Sequence, residues 1–276
     1  MLTRVVTIHS ANDTFQQLVA LSGNRRKRHQ SRRFLVEGVK PINLAIAYHW
    51  DIDALVYAQG MDLSVWAREI LTKSGARARY ELSADLMEAL SGKEETSEII
   101  AVVTIPEDDL NRIRVSGDSL FVILDQPGSP GNLGAVIRSC DAFRANGVVV
   151  LGHSADVYDP QTIRASIGTV FSTPTVRIGS HSGLLRWLDF ARGMYPNLQI
   201  VGSSAKADTD ISGVDLTRPT ALVLGNETSG MSWNLRQACD FTVRIPIYGT
   251  ASSLNLACAA SILLYEVDRQ RRTERS

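Results

Sequence analysis

The feature that most constrains the fold is a series of short apolar runs in the second half of the chain. Each run is four or five residues long, and glycine, proline or a polar residue follows it. Strands that are buried on both faces of a parallel sheet have this composition. Helical patterns separate the runs, which is typical of an α/β domain. We therefore expect a parallel sheet with strands at residues 120–124, 147–151, 199–202, 221–224 and 241–245.

The first part of the chain shows a second alternation of strands and helices, which predicts a smaller α/β domain. Its strands are expected at 34–38, 54–58 and 99–104, and its helices at 14–22, 42–47, 63–73 and 82–90. The stretch that follows has little apolar periodicity and contains Gly117. We expect an N-terminal domain of residues 1–107, a linker of residues 108–117 and a second domain of residues 118–276.

The overall charge is balanced, with 29 basic and 29 acidic residues. Dedicated nucleic-acid binders are often strongly basic, so any contact with RNA has to come from a local patch. One candidate patch consists of Arg25, Arg26, Lys27, Arg28, Arg32 and Arg33. It could bind phosphates, or it could be a solvated, mobile stretch.

Other sequence features limit the class of protein. No stretch approaches the roughly 20 apolar residues of a membrane span, and the N-terminus lacks an apolar core of secretory length. The three cysteines, Cys140, Cys239 and Cys258, show no CxxC spacing, which argues against a disulfide framework or a zinc site. We expect a cytoplasmic protein without a metal.

A loop rich in glycine and proline follows the strand at 120–124 and leads into a helix. Arg138 lies off the apolar stripe of that helix, a position that is by itself typical of a surface arginine. The glycines at 128, 131 and 134 are not spaced as GxGxxG. This spacing argues against an oxidoreductase that binds a nicotinamide dinucleotide.

Two further loops follow later strands. In residues 224–232 two glycines bracket a polar loop that contains Glu227, which could be a plain turn with Ser232 capping the next helix. Residues 245–256 lead into a final helix that is expected to begin near Ser253, with Ser253 as its N-cap, and to be buried on nearly every face. Asn255 is a poor helix former in this apolar context, so its amide needs a hydrogen-bonding partner.

Together, and in this order, the three loops resemble the signature motifs of the SpoU family within the SPOUT methyltransferases. The first motif, P-x-N-x-G-x-x-x-R, matches residues 130–138, and the second, G-x-E-x-x-G, matches residues 225–230. The third, I-P-M followed by S-L-N, matches 245–247 and 253–255, with Ile247 in place of methionine. Arg144 also stands where the family often has glycine. Residues 33–38, Arg-Phe-Leu-Val-Glu-Gly, resemble the R-F-x-x-E-G entry to the family's substrate-binding domain.

The resemblance implies a fold and a reaction. The fold is a catalytic domain with a parallel sheet and a deep trefoil knot, joined to an α/β domain that resembles a ribosomal protein. The reaction is methyl transfer from S-adenosylmethionine to a ribose 2′-hydroxyl of RNA, carried out by a homodimer. One subunit's Arg138 is expected near the other subunit's cofactor.

The resemblance also assigns site residues. The expected catalytic residues are Asn132, Arg138, Glu227, Ser253 and Asn255. The expected cofactor-binding residues are Leu224, Gly225, Asn226, Gly230, Ile245, Ile247, Ser253 and Leu254. Arg138 is expected to orient the 2′-oxygen and its phosphate, because a free arginine stays charged at neutral pH.

The N-terminal domain favours large-subunit (23S) ribosomal RNA as the substrate, with antibiotic resistance as a possible role. Transfer RNA is the alternative substrate. A non-catalytic RNA-binding assembly factor is a further alternative, against which the complete set of motif residues argues.

Overall fold

The computed structural model describes residues 4–91 and 95–274. These residues form two compact units. The first unit comprises the chain up to Glu107 together with Tyr158–Ser172, and the second comprises Asp108–Val157 and the chain from Thr173 onward.

A five-stranded sheet organises the first unit. Its strands are β1 (Arg4–Ile8), β2 (Arg33–Glu37), β3 (Ile52–Ala58), β4 (Ala78–Leu82) and β5 (Ile99–Thr104). Its helices are α1 (Asp13–Gly23), α2 (Arg25–Ser31), α3 (Val39–Ala47), α4 (Val65–Lys73) and α5 (Ala84–Leu90). The strand order is β1-β4-β3-β5-β2, with β1, β4 and β3 parallel and β5 antiparallel to both its neighbours.

The expected elements of this unit are confirmed within three residues at each end. Sequence patterns missed β1 and β4, and the expected helix at 82–90 begins two residues later because Leu82 still belongs to β4. The basic run is also helical. The side chain of Asn24 accepts from the backbone N–H of Lys27 at 3.1 Å and so caps the start of α2.

The second unit contains a seven-stranded sheet. Its strands are β6 (Leu120–Asp125), β7 (Gly147–Leu151), β8 (Thr175–Ile178), β9 (Gln199–Ser203), β10 (Thr209–Asp210), β11 (Thr220–Leu224) and β12 (Phe241–Arg244). Their order is β10-β12-β9-β11-β6-β7-β8, and each pairing is parallel. The α/β class and the parallel sheet are therefore confirmed, while β8 and β10 were not predicted.

Helices cover both faces of this sheet. They are α6 (Pro130–Ala142), α8 (His181–Met194), α9 (Trp233–Ala238) and α10 (Leu256–Glu274), while α7 (Pro160–Ala165) belongs to the first unit. Residues of α8 and α9 share one core cluster with alternate residues of the strands. Because successive strand residues point to opposite faces, the remaining strand residues face α6 and α10, which contact each other.

The prediction that the last helix is buried on nearly every face is wrong for one stripe. Within this chain Cys258, Ile262 and Tyr265 are exposed, while Ala260 and Leu264 are buried. No helix in the described part of the chain is long and apolar enough to cross a membrane.

Residues 158–172 complete the core of the first unit, although they lie in the second half of the sequence. Tyr158 and Phe171 are almost fully buried, and their rings lie 4.8 and 6.2 Å from the ring of Phe34. Gly168 has φ of +83°, and a Cβ there would lie 2.7 Å from the Cα of Pro41. Only glycine fits this conformation and this close approach.

A buried arginine fixes the same segment. Arg28 is 1% exposed, and its guanidinium donates to the carbonyls of Leu21 and Ser22 at 3.0 and 3.2 Å and to Asp159 Oδ2 at 3.0 Å. Asp159 also caps α7, because its Oδ1 accepts from the N–H of Gln161 at 2.9 Å. A buried charge of this kind is tolerated only when it is paired and hydrogen-bonded.

We predict that Asp159→Asn lowers the free energy of unfolding by about 3 kcal/mol, the lower end for removal of one partner of a buried ion pair. Asparagine keeps the capping oxygen, so the change isolates the loss of charge. Urea unfolding of the full chain measures it. The control is Asp62→Asn, since Asp62 pairs with Arg68 on the surface and its loss should change stability by less than about 0.5 kcal/mol. Equal stability of the two variants would contradict the prediction.

Candidate active site

Three loops meet at the carboxyl edge of the parallel sheet, where open α/β sheets hold their ligands. We call them the β6 loop (126–129), the β11 loop (225–232) and the β12 loop (245–255). The side chain of Asn226 donates to the carbonyl of Gln126 at 2.7 Å, and the N–H of Ser232 donates to Asp125 Oδ2 at 2.7 Å. These bonds tie the β11 loop to the end of β6.

The β11 loop is a tight backbone turn. Asn226 and Gly230 exchange two backbone hydrogen bonds of 3.0 and 2.9 Å, and Asn226 Oδ1 accepts from the N–H groups of Thr228 and Ser229. A Cβ at Gly225 would lie 2.1 Å from the backbone nitrogen of Met231. The glycine is therefore required because the two ends of the turn touch.

A relay of side chains connects the three loops. Asn255 donates through its amide to Asn132 Oδ1 at 3.0 Å, and Asn132 donates through its own amide to Glu227 Oε1 at 2.9 Å. The backbone N–H of Gly128 donates to Glu227 Oε2 at 3.1 Å. Three of the five expected catalytic residues therefore lie in one hydrogen-bonded chain.

Hydrogen bonding keeps the carboxylate of Glu227 charged. Partial burial raises its pKa, but the bonds from the Asn132 side chain and from backbone N–H groups such as that of Gly128 outweigh this effect. The net result is a pKa below the usual value of a glutamate. The site thus presents a fixed negative charge at neutral pH.

With Ser253 as its N-cap, the final helix would begin at residue 254, but it begins two residues later. Its first residue is Leu256, and the side chain of Asn255 accepts from the N–H of Ala257 at 2.8 Å. The expectation that Ser253 caps the helix is therefore wrong, because Asn255 stands at the end of the loop and caps it instead. The expectation that Asn255 needs a partner is confirmed.

The remaining expected catalytic residues do not join the relay. Arg138 lies on the solvent side of α6 and forms no hydrogen bond or ion pair with any described residue. Ser253 is exposed in the β12 loop. A guanidinium held only by solvent can turn toward a ligand or toward another molecule.

The expected cofactor-binding residues line the same sheet edge. Leu224 is buried at the end of β11, while Gly225, Asn226 and Gly230 form the tight turn that follows it. In the β12 loop, Ile245 and Ile247 are half-buried, and Ser253 and Leu254 are exposed. Backbone groups beside accessible apolar side chains suit an adenosine, whose ring is flat and whose edge carries donors and acceptors.

Three residues of this edge received no role from the sequence. Asp125 and Gln126 accept bonds from the β11 loop, and Gly128 donates to Glu227. Their position directly after an apolar strand was the available signal. Ser232, expected to cap α9, makes no capping bond; its hydroxyl lies 3.0 Å from Nε2 of His181. No metal-binding cluster occurs among residues 4–91 and 95–274.

The predicted RNA-binding patch divides into two groups. Arg28 is buried and bound to Asp159, so the prediction that it binds RNA is wrong. Arg32 donates to the carbonyl of Ile105 at 2.8 Å, and Arg33 pairs with Asp53. On α2, Arg26 and Lys27 are exposed and Arg25 is half-buried. The exposed cations of the patch are therefore concentrated at the start of α2.

Comparison with known proteins places the chain in a family. The model of the SpoU rRNA methylase family matches residues 119–265, and that of the SpoU L30e-like domain matches residues 12–101. The chain is 46% identical over 265 residues to a 23S rRNA (uridine(2479)-2′-O)-methyltransferase of Streptomyces viridochromogenes, covering 96% of this chain and 92% of the relative.

Solved structures agree. The SpoU methyltransferase AviRb of S. viridochromogenes, crystallised with AdoMet, has a TM-score of 0.90 at 46% identity, covering 95% of this chain and 99% of that one. An AdoMet-bound rRNA methyltransferase of Sinorhizobium meliloti has a TM-score of 0.86 at 28% identity, covering 96% and 98%. The chain belongs to the SpoU rRNA methylase family.

Proposed function

We propose that this protein transfers the methyl group of S-adenosylmethionine to a ribose 2′-hydroxyl of 23S ribosomal RNA in the cytoplasm. The observation that carries the proposal is the relay Asn255–Asn132–Glu227, which joins all three family motifs at one sheet edge. The relative with 46% identity supports ribosomal RNA, since it covers almost the whole chain, including the first unit. A role in antibiotic resistance and the trefoil knot remain predictions from the resemblance.

The residues at the sheet edge fit the cofactor. Backbone groups of the β11 loop and of Ile245 and Leu254 would hold the adenosine part, and the negative Glu227 would favour a cation nearby. When bound, the cofactor supplies a methyl group on a positively charged sulfur. The 2′-oxygen would take this methyl group and its hydroxyl proton would pass to solvent water, while the electron pair of the carbon–sulfur bond would stay on the sulfur.

Arg138 has a positioning role in this proposal. Because guanidinium groups stay protonated in proteins, it holds the 2′-oxygen and the neighbouring phosphate by charge-assisted hydrogen bonds. Holding the oxygen in line with the methyl group removes much of the entropic barrier of a two-molecule reaction. The relay then keeps the loops in the geometry that this alignment requires.

A homodimer is part of the proposal. The exposed stripe of α10, formed by Cys258, Ile262 and Tyr265, has the spacing of one helical face. A contiguous apolar stripe of this kind is typical of a protein interface. We infer that a second copy covers it and that Arg138, on the neighbouring helix α6, serves the partner's cofactor site.

We predict that Arg138→Ala lowers the rate of methylation about 100-fold or more, as expected when a charged donor to the reacting oxygen is lost. Binding of S-adenosylmethionine should change less than about twofold, because the arginine contacts substrate and not cofactor. The measurement is transfer of labelled methyl into unmodified 23S ribosomal RNA, recovered as an alkali-resistant dinucleotide. Arg186→Ala removes an exposed arginine of α8 and is the control.

The outcomes of that assay separate the alternatives. If label enters transfer RNA alone, the substrate is transfer RNA and not 23S ribosomal RNA. Cofactor binding without label in either RNA would support the non-catalytic assembly factor. An Arg138→Ala variant as active as the wild type would remove the assigned role of this residue.

We predict that Glu227→Gln weakens cofactor binding about tenfold, because one carboxylate oxygen becomes an N–H₂ group facing the N–H of Gly128.

The pKa of Glu227 is lowered in the folded state, so its stabilising effect is present above the unfolded pKa and is lost as pH falls through the folded pKa. The stability difference between wild type and variant should be constant from about pH 8 to 6 and shrink below about pH 4.5. Urea unfolding at each pH measures it, and a difference that persists at lower pH would refute the assignment.

We predict that Ile262→Glu converts a dimer into a monomer at micromolar concentration, because it places a charge in an apolar interface. Light scattering during gel filtration measures the mass. Phe190→Glu changes an apolar residue of α8 that is 60% exposed, against 39% for Ile262, and should leave the dimer intact. If Arg138 acts across the interface, a mixture of the Arg138→Ala and Glu227→Gln variants should have a higher methylation rate than either variant alone. An unchanged rate means that Arg138 acts within its own subunit.

A further inference from the structure

The first unit contains a pocket that the proposed reaction does not use. It has a volume of about 150 Å³ and lies beside β2, the edge strand of the five-stranded sheet. The seven residues that line it all belong to the first unit, and they come from α1, β2, α5 and α7. It therefore lies in the unit that carries the basic helix α2.

The pocket is apolar at its base and charged at its rim. Leu35, Leu90 and Ile163 form the base and are 4% exposed or less. Glu37 and Arg164 carry the charges, with Arg164 exposed and Glu37 half-buried. A volume of this size admits one planar ring and its substituents, and it is too small for a helix or a duplex.

One wall of the pocket lies close in the sequence to the exposed cations of α2. Ser22 lines the pocket, and α2 starts three residues later with Arg25, followed by the exposed Arg26 and Lys27. Cations of this kind bind the phosphates of RNA whatever its base sequence. An RNA strand held at the start of α2 would therefore pass close to the wall of the pocket that Ser22 forms.

The carboxylate of Glu37 would favour a base over a phosphate in this pocket. A carboxylate beside a phosphate-binding helix repels phosphates, but it accepts hydrogen bonds from the N–H groups on base edges. Glu37 Oε2 accepts from the hydroxyls of Ser91 and Ser97 at 3.5 and 3.4 Å, and an ionised carboxylate has about four acceptor positions in all. Glu37 is also the glutamate of the R-F-x-x-E-G sequence, to which the methylation site assigns no role.

We propose that this pocket receives one unstacked base of the substrate RNA, away from the methylated ribose. Leu35, Leu90 and Ile163 pack against the ring of this nucleobase. Glu37 accepts a hydrogen bond from an N–H on the edge of the ring. Arg164 donates to a ring oxygen or nitrogen or to the adjoining phosphate. Sequence-specific recognition of RNA uses unstacked bases in this way. The proposal rests on the proposed function in taking RNA as the substrate.

The test uses the full chain and unmodified 23S ribosomal RNA. Glu37→Gln and Arg164→Ala should each raise the dissociation constant about tenfold, the range expected for loss of a base contact. The Glu37→Gln change should leave the salt dependence of binding unaltered. Lys27→Ala should instead lower the slope of log K against log salt by about 1, as loss of a phosphate contact does. Glu69→Gln, a surface glutamate of α4 paired with Lys73, is the matched control and should bind like the wild type.

Two further measurements make the outcome decisive. Melting temperatures show whether Glu37→Gln is folded, and Arg164→Ala, on an exposed position of α7, tests the pocket if it is not. Ultraviolet crosslinking of the wild-type complex should link RNA to peptides that contain residues 35–37 or 160–164. Binding within twofold of the wild type for Arg164→Ala and for a folded Glu37→Gln, with crosslinks confined to α2, would overturn the pocket proposal while RNA methylation by the wild type stands. A wild type that binds no RNA would overturn both proposals.

Discussion

The arrangement of the site depends on the side-chain amide of Asn132. Its nitrogen donates to Glu227 and its oxygen accepts from Asn255, so the start of α6 joins the β11 loop to the β12 loop. A primary amide offers a donor on its nitrogen and an acceptor on its oxygen, which is what these two partners require. A carboxylate would repel Glu227, and an apolar side chain would leave two polar groups without partners. The parallel sheet makes the contact possible because it brings the carboxyl ends of β6 and β11 to one edge.

The sequence predicted the sheet well, for a physical reason. Strands that are buried on both faces must be apolar throughout, and this requirement is visible without any tertiary information. The strand β1 was missed because it is an edge strand with exposed residues, and β10 because it has two residues. The three loops were predicted at the correct edge of the sheet, but the hydrogen bonds between them were not predicted. Both Ser253 and Asn255 are good capping residues, and only the path of the loop decides that Asn255 caps α10.

The basic run shows where sequence reasoning fails. Six cations within nine positions were assigned one role, yet Arg28 is buried while Arg26 and Lys27 are exposed. The difference arises from Asp159, which lies 131 positions away in the sequence. An isolated pattern of charge has no information about such a partner. The same contact explains why residues 158–172 belong to the first unit although the sequence placed them in the second domain.

The balanced charge also limits how the protein can hold RNA. Affinity from phosphate contacts grows with the number of counterions that the bound cations release. In a chain with 29 basic and 29 acidic residues, this effect comes from local clusters of exposed cations such as Arg26 and Lys27. Binding that is selective therefore has to come from contacts with bases and from the fit of the site to one ribose. Such contacts are lost when a base is out of place, whereas phosphate contacts are not, so low net charge favours selectivity over affinity.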